Sequence, residues 1–146
     1  MNPPASPASA PKGFARHLPT IARVLLGLMF FVFGLMGLLN LMPPPPPETL
    51  PPKLVAFSTA MMNTGFLFQL VKGTEVVVGA LLLLNRFVPL ALALIAPVIV
   101  NIVAVHVFLA PSGLAMAVVI LGLELYLAWA YRSAFRPMLG ARVTPA

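Results

Sequence analysis

An all-α membrane protein is the fold class this sequence predicts: an antiparallel bundle of four transmembrane helices with a short extra interfacial helix in the first outer loop. Three observations carry that prediction. Hydrophobic residues make up 60% of the 146-residue chain and charged residues only 8%, and the mean hydropathy is +1.02, a balance that polytopic membrane proteins show and soluble domains do not. The apolar residues fall into four runs, each near the ~20 residues needed to cross ~30 Å of hydrocarbon. The cations, finally, gather at the ends of those runs rather than on a solvated face. The net charge of +6 therefore reads as membrane topology, and nucleic-acid binding, which wants clustered cations with polar or aromatic partners, is excluded.

The elements follow in order. Residues 1–19 carry Pro3, Pro4, Pro7, Pro11 and Pro19 among Ala and Ser and read as a disordered cytoplasmic arm. The domain at 20–133 opens with a span at about 21–42, too long for a signal-peptide core and without a small-residue cleavage site. Pro43 to Pro47 cannot continue a helix and predict a polyproline II strut, and Pro51 and Pro52 repeat the break. Lys53 to Gly65 is moderately apolar and too short to cross, so a helix lying at the interface is expected over the outer mouth. Further spans at about 66–84, 87–109 and 114–131 are joined by Asn85-Arg86 and by Ala110-Pro111-Ser112-Gly113. Such short connections force antiparallel neighbours. Residues 134–146 form a cytoplasmic tail.

Orientation follows from the cations. Lys12, Arg16, Arg23, Arg86, Arg132, Arg136 and Arg142 lie at one set of ends, Lys53 alone at the other, and Lys72 within a span. The positive-inside rule then puts both termini and the 85–86 turn in the cytoplasm.

Glu75 and Glu124 sit inside spans, and Lys72 is one turn from the first of them. A charged side chain in hydrocarbon costs several kcal/mol, so its default reading is a functional group facing the protein interior. Counted inward from the outer ends at ~1.5 Å per residue, Lys72, Glu75, Asn101, His106 and Glu124 lie ~5–15 Å deep, and Asn40 ends the first span. A polar pocket open toward the outer side is the arrangement expected. Lys72 and Glu75, three residues apart, share a helix face within ion-pair reach. Such a pair is either a tolerated, neutralised couple or a carboxylate held ready for a proton or ligand. Glu124 has no cation within a turn, so its partner should be Lys72, His106, Asn101 or a proton. A lone histidine near an interface is ordinarily an anchoring or hydrogen-bonded group, and Asn101 and His106 point about 140° apart on a regular helix. Arg23, near the cytoplasmic end, is expected to snorkel to the interface. Gly27, Gly34, Gly37, Gly73, Gly79 and Gly122 read as close-packing points between helices. Phe30, Phe31 and Phe33 read as lipid- or neighbour-facing bulk, and Tyr126, Trp129 and Tyr131 as a cytoplasmic aromatic belt.

No metal site is expected from these residues. Cysteine is absent, so thiolate clusters and dithiol–disulfide chemistry are excluded, and any electrons must be carried by a bound cofactor or a partner.

Ala22-Arg23-Val24-Leu25-Leu26-Gly27 with Phe33-Gly34, Lys72-Gly73-Thr74-Glu75 with Gly79-Ala80-Leu81-Leu82-Leu83, and Pro97-Val98-Ile99-Val100-Asn101 with His106 together resemble the DoxX family of small bacterial four-helix membrane proteins. The likeness covers roughly residues 21–132. It implies a bacterial cytoplasmic membrane, and an association with quinone-linked thiosulfate oxidation or with oxidoreductase complexes that handle thiol or oxidative stress. Arg23, Lys72, Glu75, Asn101 and His106 fall at the polar positions of that family, which assigns no catalytic role to them. Three functions stay open. The first is a quinone-interacting subunit of a membrane redox system, with a soluble or membrane partner subunit or a homo-oligomer. The second is a binding or transport module for a small apolar or lipid-like ligand. The third is a non-catalytic scaffold.

Overall fold

The computed structural model describes residues 13, 16–41, 43 and 45–139. Among these residues the chain is helix and turn, with no strand. The expectations for the 1–19 arm, the proline run and the C-terminal tail fall wholly or partly outside the described residues.

Helix α1 (Leu18–Leu38) begins with Pro19 in its first turn, where the missing N–H is no loss. It stops before the expected residue 42. Asn40 takes a left-handed conformation, with φ 52°, the Leu41 N–H donates to the Met36 carbonyl at 2.9 Å, and the Asn40 N–H donates to Gly37. That paired pattern is the Schellman motif, in which asparagine is tolerated because its short polar side chain accepts positive φ. Pro46 is extended, but a 3-10 turn over Pro47–Thr49 ends the proline run, held by the Thr49 hydroxyl on the Pro46 carbonyl at 2.7 Å.

Helix α2 (Pro52–Asn63) and helix α3 (Leu67–Leu83) meet at 91°. The corner is built from Gly65 at φ 77° and from Thr64, whose hydroxyl oxygen accepts the Leu67 N–H at 3.0 Å. Helix α3 closes like α1, with Asn85 at φ 54° and Arg86 N–H on the Leu81 carbonyl at 2.9 Å. Helix α4 (Val88–Phe108) contains Pro97. A 3-10 turn, Pro111–Gly113, leads into helix α5 (Leu114–Ala130), followed by the single-turn helix α6 (Arg132–Phe135).

Helices α1, α4 and the Pro111–Ala130 segment are each long and apolar enough to cross a membrane, and α2 with α3 qualifies as one bent pair. Contacts run around a closed ring, α1 on α3, α3 on α4, α4 on α5 and α5 on α1, with the α1–α3 seam the most extensive. Inside the ring Leu26, Phe30, Val78, Leu82, Leu92, Ile95, Ile99 and Leu127 form the core. Outside it stand exposed Leu25, Leu94, Val100, Phe108, Val118 and Leu125. An apolar exterior over all four helices is what lipid requires and what water penalises.

The α1–α3 seam is tight because glycines line it. A Cβ at Gly34 would lie 2.8 Å from Glu75 Cβ and 3.0 Å from the Val76 nitrogen, and one at Gly79 would run into the Phe31 backbone. Gly27 is similarly close to Leu82 and Leu83. The pairs 34 with 75 and 27 with 82 show that α1 and α3 run antiparallel. Gly73 and Gly122 depart from expectation: a Cβ at either meets nothing within 4 Å, because both lie on outward faces.

Candidate functional site

Where α1 and α4 end and α3 and α5 begin, the ring holds a cavity of about 320 Å³. Its walls are Met29, Phe30 and Phe33 from α1, Lys72 and Glu75 from α3, Ile102 and His106 from α4, and Met116 and Ile120 from α5. All four packed helices contribute, and each apolar wall residue sits there through the 3.6-residue period of its helix.

The ion pair is the polar centre. Lys72 Nζ donates to Glu75 Oε2 at 2.8 Å, the lysine side chain 22% and the glutamate 5% exposed. Their i,i+3 spacing puts them on one face, but the packing decides where the lysine goes. Its stem lies against Gly37, where a Cβ would come within 2.8 Å of Lys72 Cδ. The ammonium stands 6.0 Å from the Phe68 ring centroid, at the limit of a cation–π contact. Glu75 is pinned by Gly34, whose bare Cα admits the glutamate Cβ. His106 is half-buried, its Nδ1 3.1 Å from the Ala110 carbonyl oxygen. The cavity thus offers an ammonium, a carboxylate and an imidazole in apolar walls, a set able to orient a carbonyl or hydroxyl and to pass a proton.

A second cavity, about 340 Å³, shares Phe33 and Lys72 with the first and extends to Asn40, Pro43, Pro45, Met62 and Phe68. Asn40 lies there with its backbone terminating α1. Asn101 is exposed on α4 and lines neither cavity, in keeping with the opposite directions of the two α4 polar residues.

Glu124 stands apart. It is buried in the core with Ile120 and Leu127 one turn to either side; its Oε2 has no hydrogen-bond partner among the described residues, and it is not among the residues lining the Lys72 cavity. Neither Lys72, His106 nor Asn101 bonds to it. Arg23 is a correction. It does not snorkel but is 7% exposed, its Nη1 donating to the Leu82 carbonyl. The last carbonyls of α3 have no intrahelical donors, and that of Leu82 takes the Asn85 N–H at 3.2 Å together with this buried guanidinium. At the same end Arg132 stacks 4.6 Å from the Trp129 ring centroid and donates to the Trp129 carbonyl at 3.0 Å, while Tyr126 lies 6.4 Å from Trp129.

Several contributors carry no signal in the sequence. Phe30 and Phe33 read as bulk but wall the cavity. Gly113 lies so close to the His106 ring that a Cβ would collide with it. Only the fold brings a turn glycine beside a residue seven positions earlier.

Ring, exterior and charge-bearing cavity define the class: a small polytopic α-helical membrane protein with a polar centre buried among its helices. The DoxX family model matches residues 18–110, well over half of the chain, and the chain belongs to the DoxX family. The matched segment contains Arg23, Lys72, Glu75, Asn101 and His106, whereas Gly113 and Glu124 lie beyond it. No curated protein and no solved structure matches the chain.

Proposed function

We propose that the chain is a small quinone-interacting subunit of a membrane redox system, with the Lys72–Glu75–His106 cavity as the ring site. In this reading the helices are four spans of an antiparallel bundle in a bacterial cytoplasmic membrane, both termini face the cytoplasm, and α2 lies at the outer interface. The seven-to-one cation asymmetry supports the orientation.

The observation that carries the proposal is the ion pair on an otherwise apolar cavity. At about 320 Å³ the cavity falls within the range of small-molecule sites, which are apolar with a few convergent polar groups. A quinone ring fits that description: its faces want apolar walls, and its oxygens want donors such as the two N–H groups that Lys72 has left. When bound it would supply two-electron chemistry that this chain's residues lack, and a redox partner subunit would exchange the electrons. Lys72 and Glu75 would orient the ring and hold a proton near its oxygen.

A second reading is favoured by the second cavity, which meets the first at Phe33 and Lys72. Two chambers that share these walls suit a chain-like ligand, as in a binding or transport module for a lipid-like molecule. Native mass spectrometry of gently extracted protein separates the readings. Co-purified quinone supports the first, lipid alone the second, and an empty protein leaves the scaffold. Lys72→Met strands a buried carboxylate, and breaking such pairs costs roughly 3–5 kcal/mol, less here because the lysine is partly exposed. Lys72→Met with Glu75→Gln should regain most of that stability without regaining the ligand. Ligand retention by the double variant would sink the ring site.

A further inference from the structure

We infer that the cavity recognises its ligand through a hydroxyl group donated to His106, so that the hydroquinone form of a ring is preferred over the quinone. This rests on the ring-site reading above and adds the chemistry of selection.

The inference starts from one hydrogen bond. His106 Nδ1 lies 3.1 Å from the Ala110 carbonyl oxygen. A carbonyl can only accept, so Nδ1 carries the hydrogen, and a neutral imidazole then keeps its lone pair on Nε2. The Ala110 carbonyl is itself well anchored. Ala110 is 5% exposed, its N–H donates to the Val105 carbonyl at 3.0 Å, and its oxygen also accepts the Gly113 N–H at 3.1 Å. Gly113 completes the cradle: its backbone, at φ −92° and ψ 2°, suits any residue, but a Cβ there would strike the ring at Cε1 and Nδ1. The glycine is needed for space, and it is a positioning residue for His106.

The inventory of the cavity follows, with the Glu75 carboxylate, 5% exposed, already engaged by the Lys72 ammonium. Lys72 spends one N–H on Glu75 and has two to donate. His106, with Nδ1 committed to Ala110, has only the acceptor Nε2 to offer a ligand. A quinone presents acceptors alone, which suits Lys72 and leaves Nε2 unmatched. A hydroquinone donates an O–H to Nε2 and accepts from Lys72 through its other oxygen. A neutral hydrogen bond made in one case and missing in the other changes affinity by about two- to twelvefold.

The test uses the full-length protein in lipid nanodiscs under anaerobic conditions, with three probes: a decyl-tailed benzoquinone, its quinol, and the dimethyl ether of that quinol. The ether keeps ring and tail but has no hydroxyl. The quinol should bind about two- to twelvefold tighter than either companion, read by calorimetry. His106→Phe should bring the three affinities together, and Gly113→Ala, which leaves the imidazole present but displaced, should narrow the ratio. Nitrogen NMR shifts of the His106 ring should show hydrogen on Nδ1. Equal binding of quinol and ether to the wild type, or a preference for the quinone, overturns the acceptor assignment while leaving the ring site standing. Failure of all three probes to bind overturns the ring site itself.

Discussion

Adding one methyl group to α3 should have opposite effects at two positions six residues apart. Gly79→Ala places its Cβ against the backbone of Phe31, which cannot swing aside as a side chain can. The α1–α3 seam, the most extensive helix contact in the protein, would have to open. At Gly34 the same change puts the methyl 2.8 Å from Glu75 Cβ and 3.0 Å from a backbone nitrogen, where ordinary contacts begin near 3.4 Å. Overpacking of this kind costs roughly 1–3 kcal/mol. At Gly73 and Gly122 an added Cβ meets nothing within 4 Å, so only helix propensity acts, a gain of at most about 1 kcal/mol and less in lipid, where the backbone is bonded in either case. Thermal unfolding in detergent, followed by circular dichroism, should therefore show Gly79→Ala and Gly34→Ala melting below wild type. Gly73→Ala and Gly122→Ala should melt at or above it, and Gly79→Val should be worse than Gly79→Ala. If all four alanine variants shift together, the backbone approach of α1 to α3 is wrong.

Arg23→Met removes the charged donor on the Leu82 carbonyl, which keeps only the Asn85 N–H, and should cost about 1–3 kcal/mol in the same assay; an unchanged melting temperature would return Arg23 to the interface. The nearest atoms to a Cβ at Gly37 are all of the flexible Lys72 stem, so Gly37→Ala should barely change stability while ligand co-purification falls; full retention would show that the lysine's path does not matter. For orientation, cysteine at Thr49 or Ser112 should react with an impermeant thiol reagent in intact cells and cysteine at Ser133 should not, and labelling of Ser133 alone would reverse the topology.

The candidate site was legible in the sequence where its chemistry is local. Lys72 and Glu75 announce each other by their spacing, and the structure joins them at 2.8 Å. Asn101 and His106 point apart for the same reason, one exposed and the other on the cavity. Glu124 shows the limit. Its depth along α5 can be counted, but depth along a helix says nothing of rotation about it, and the side chain is buried without lining the cavity that holds the ion pair. Arg23 fails in a similar way. Its distance from the helix end suggests snorkelling, yet its guanidinium reaches a carbonyl at the end of another helix, that of Leu82 on α3.

What the sequence by itself determined is whatever depends on one segment at a time: that the chain is helical, which segments are apolar enough for a bilayer, and where the short 85–86 and 110–113 connections turn it. Hydrophobic length, proline breaks and left-handed residues act within a turn or two, so they can be read without knowing the neighbours. Only the tertiary structure decided which glycines are contacts, that Gly37 makes room for Lys72, and that Gly113 and Ala110 hold His106 by one nitrogen. The exterior and interior of a membrane protein are both apolar, so hydrophobic periodicity does not distinguish a helix's inner face from its outer one. That choice falls to close packing and to pairing of the few polar groups, both of which exist only between helices.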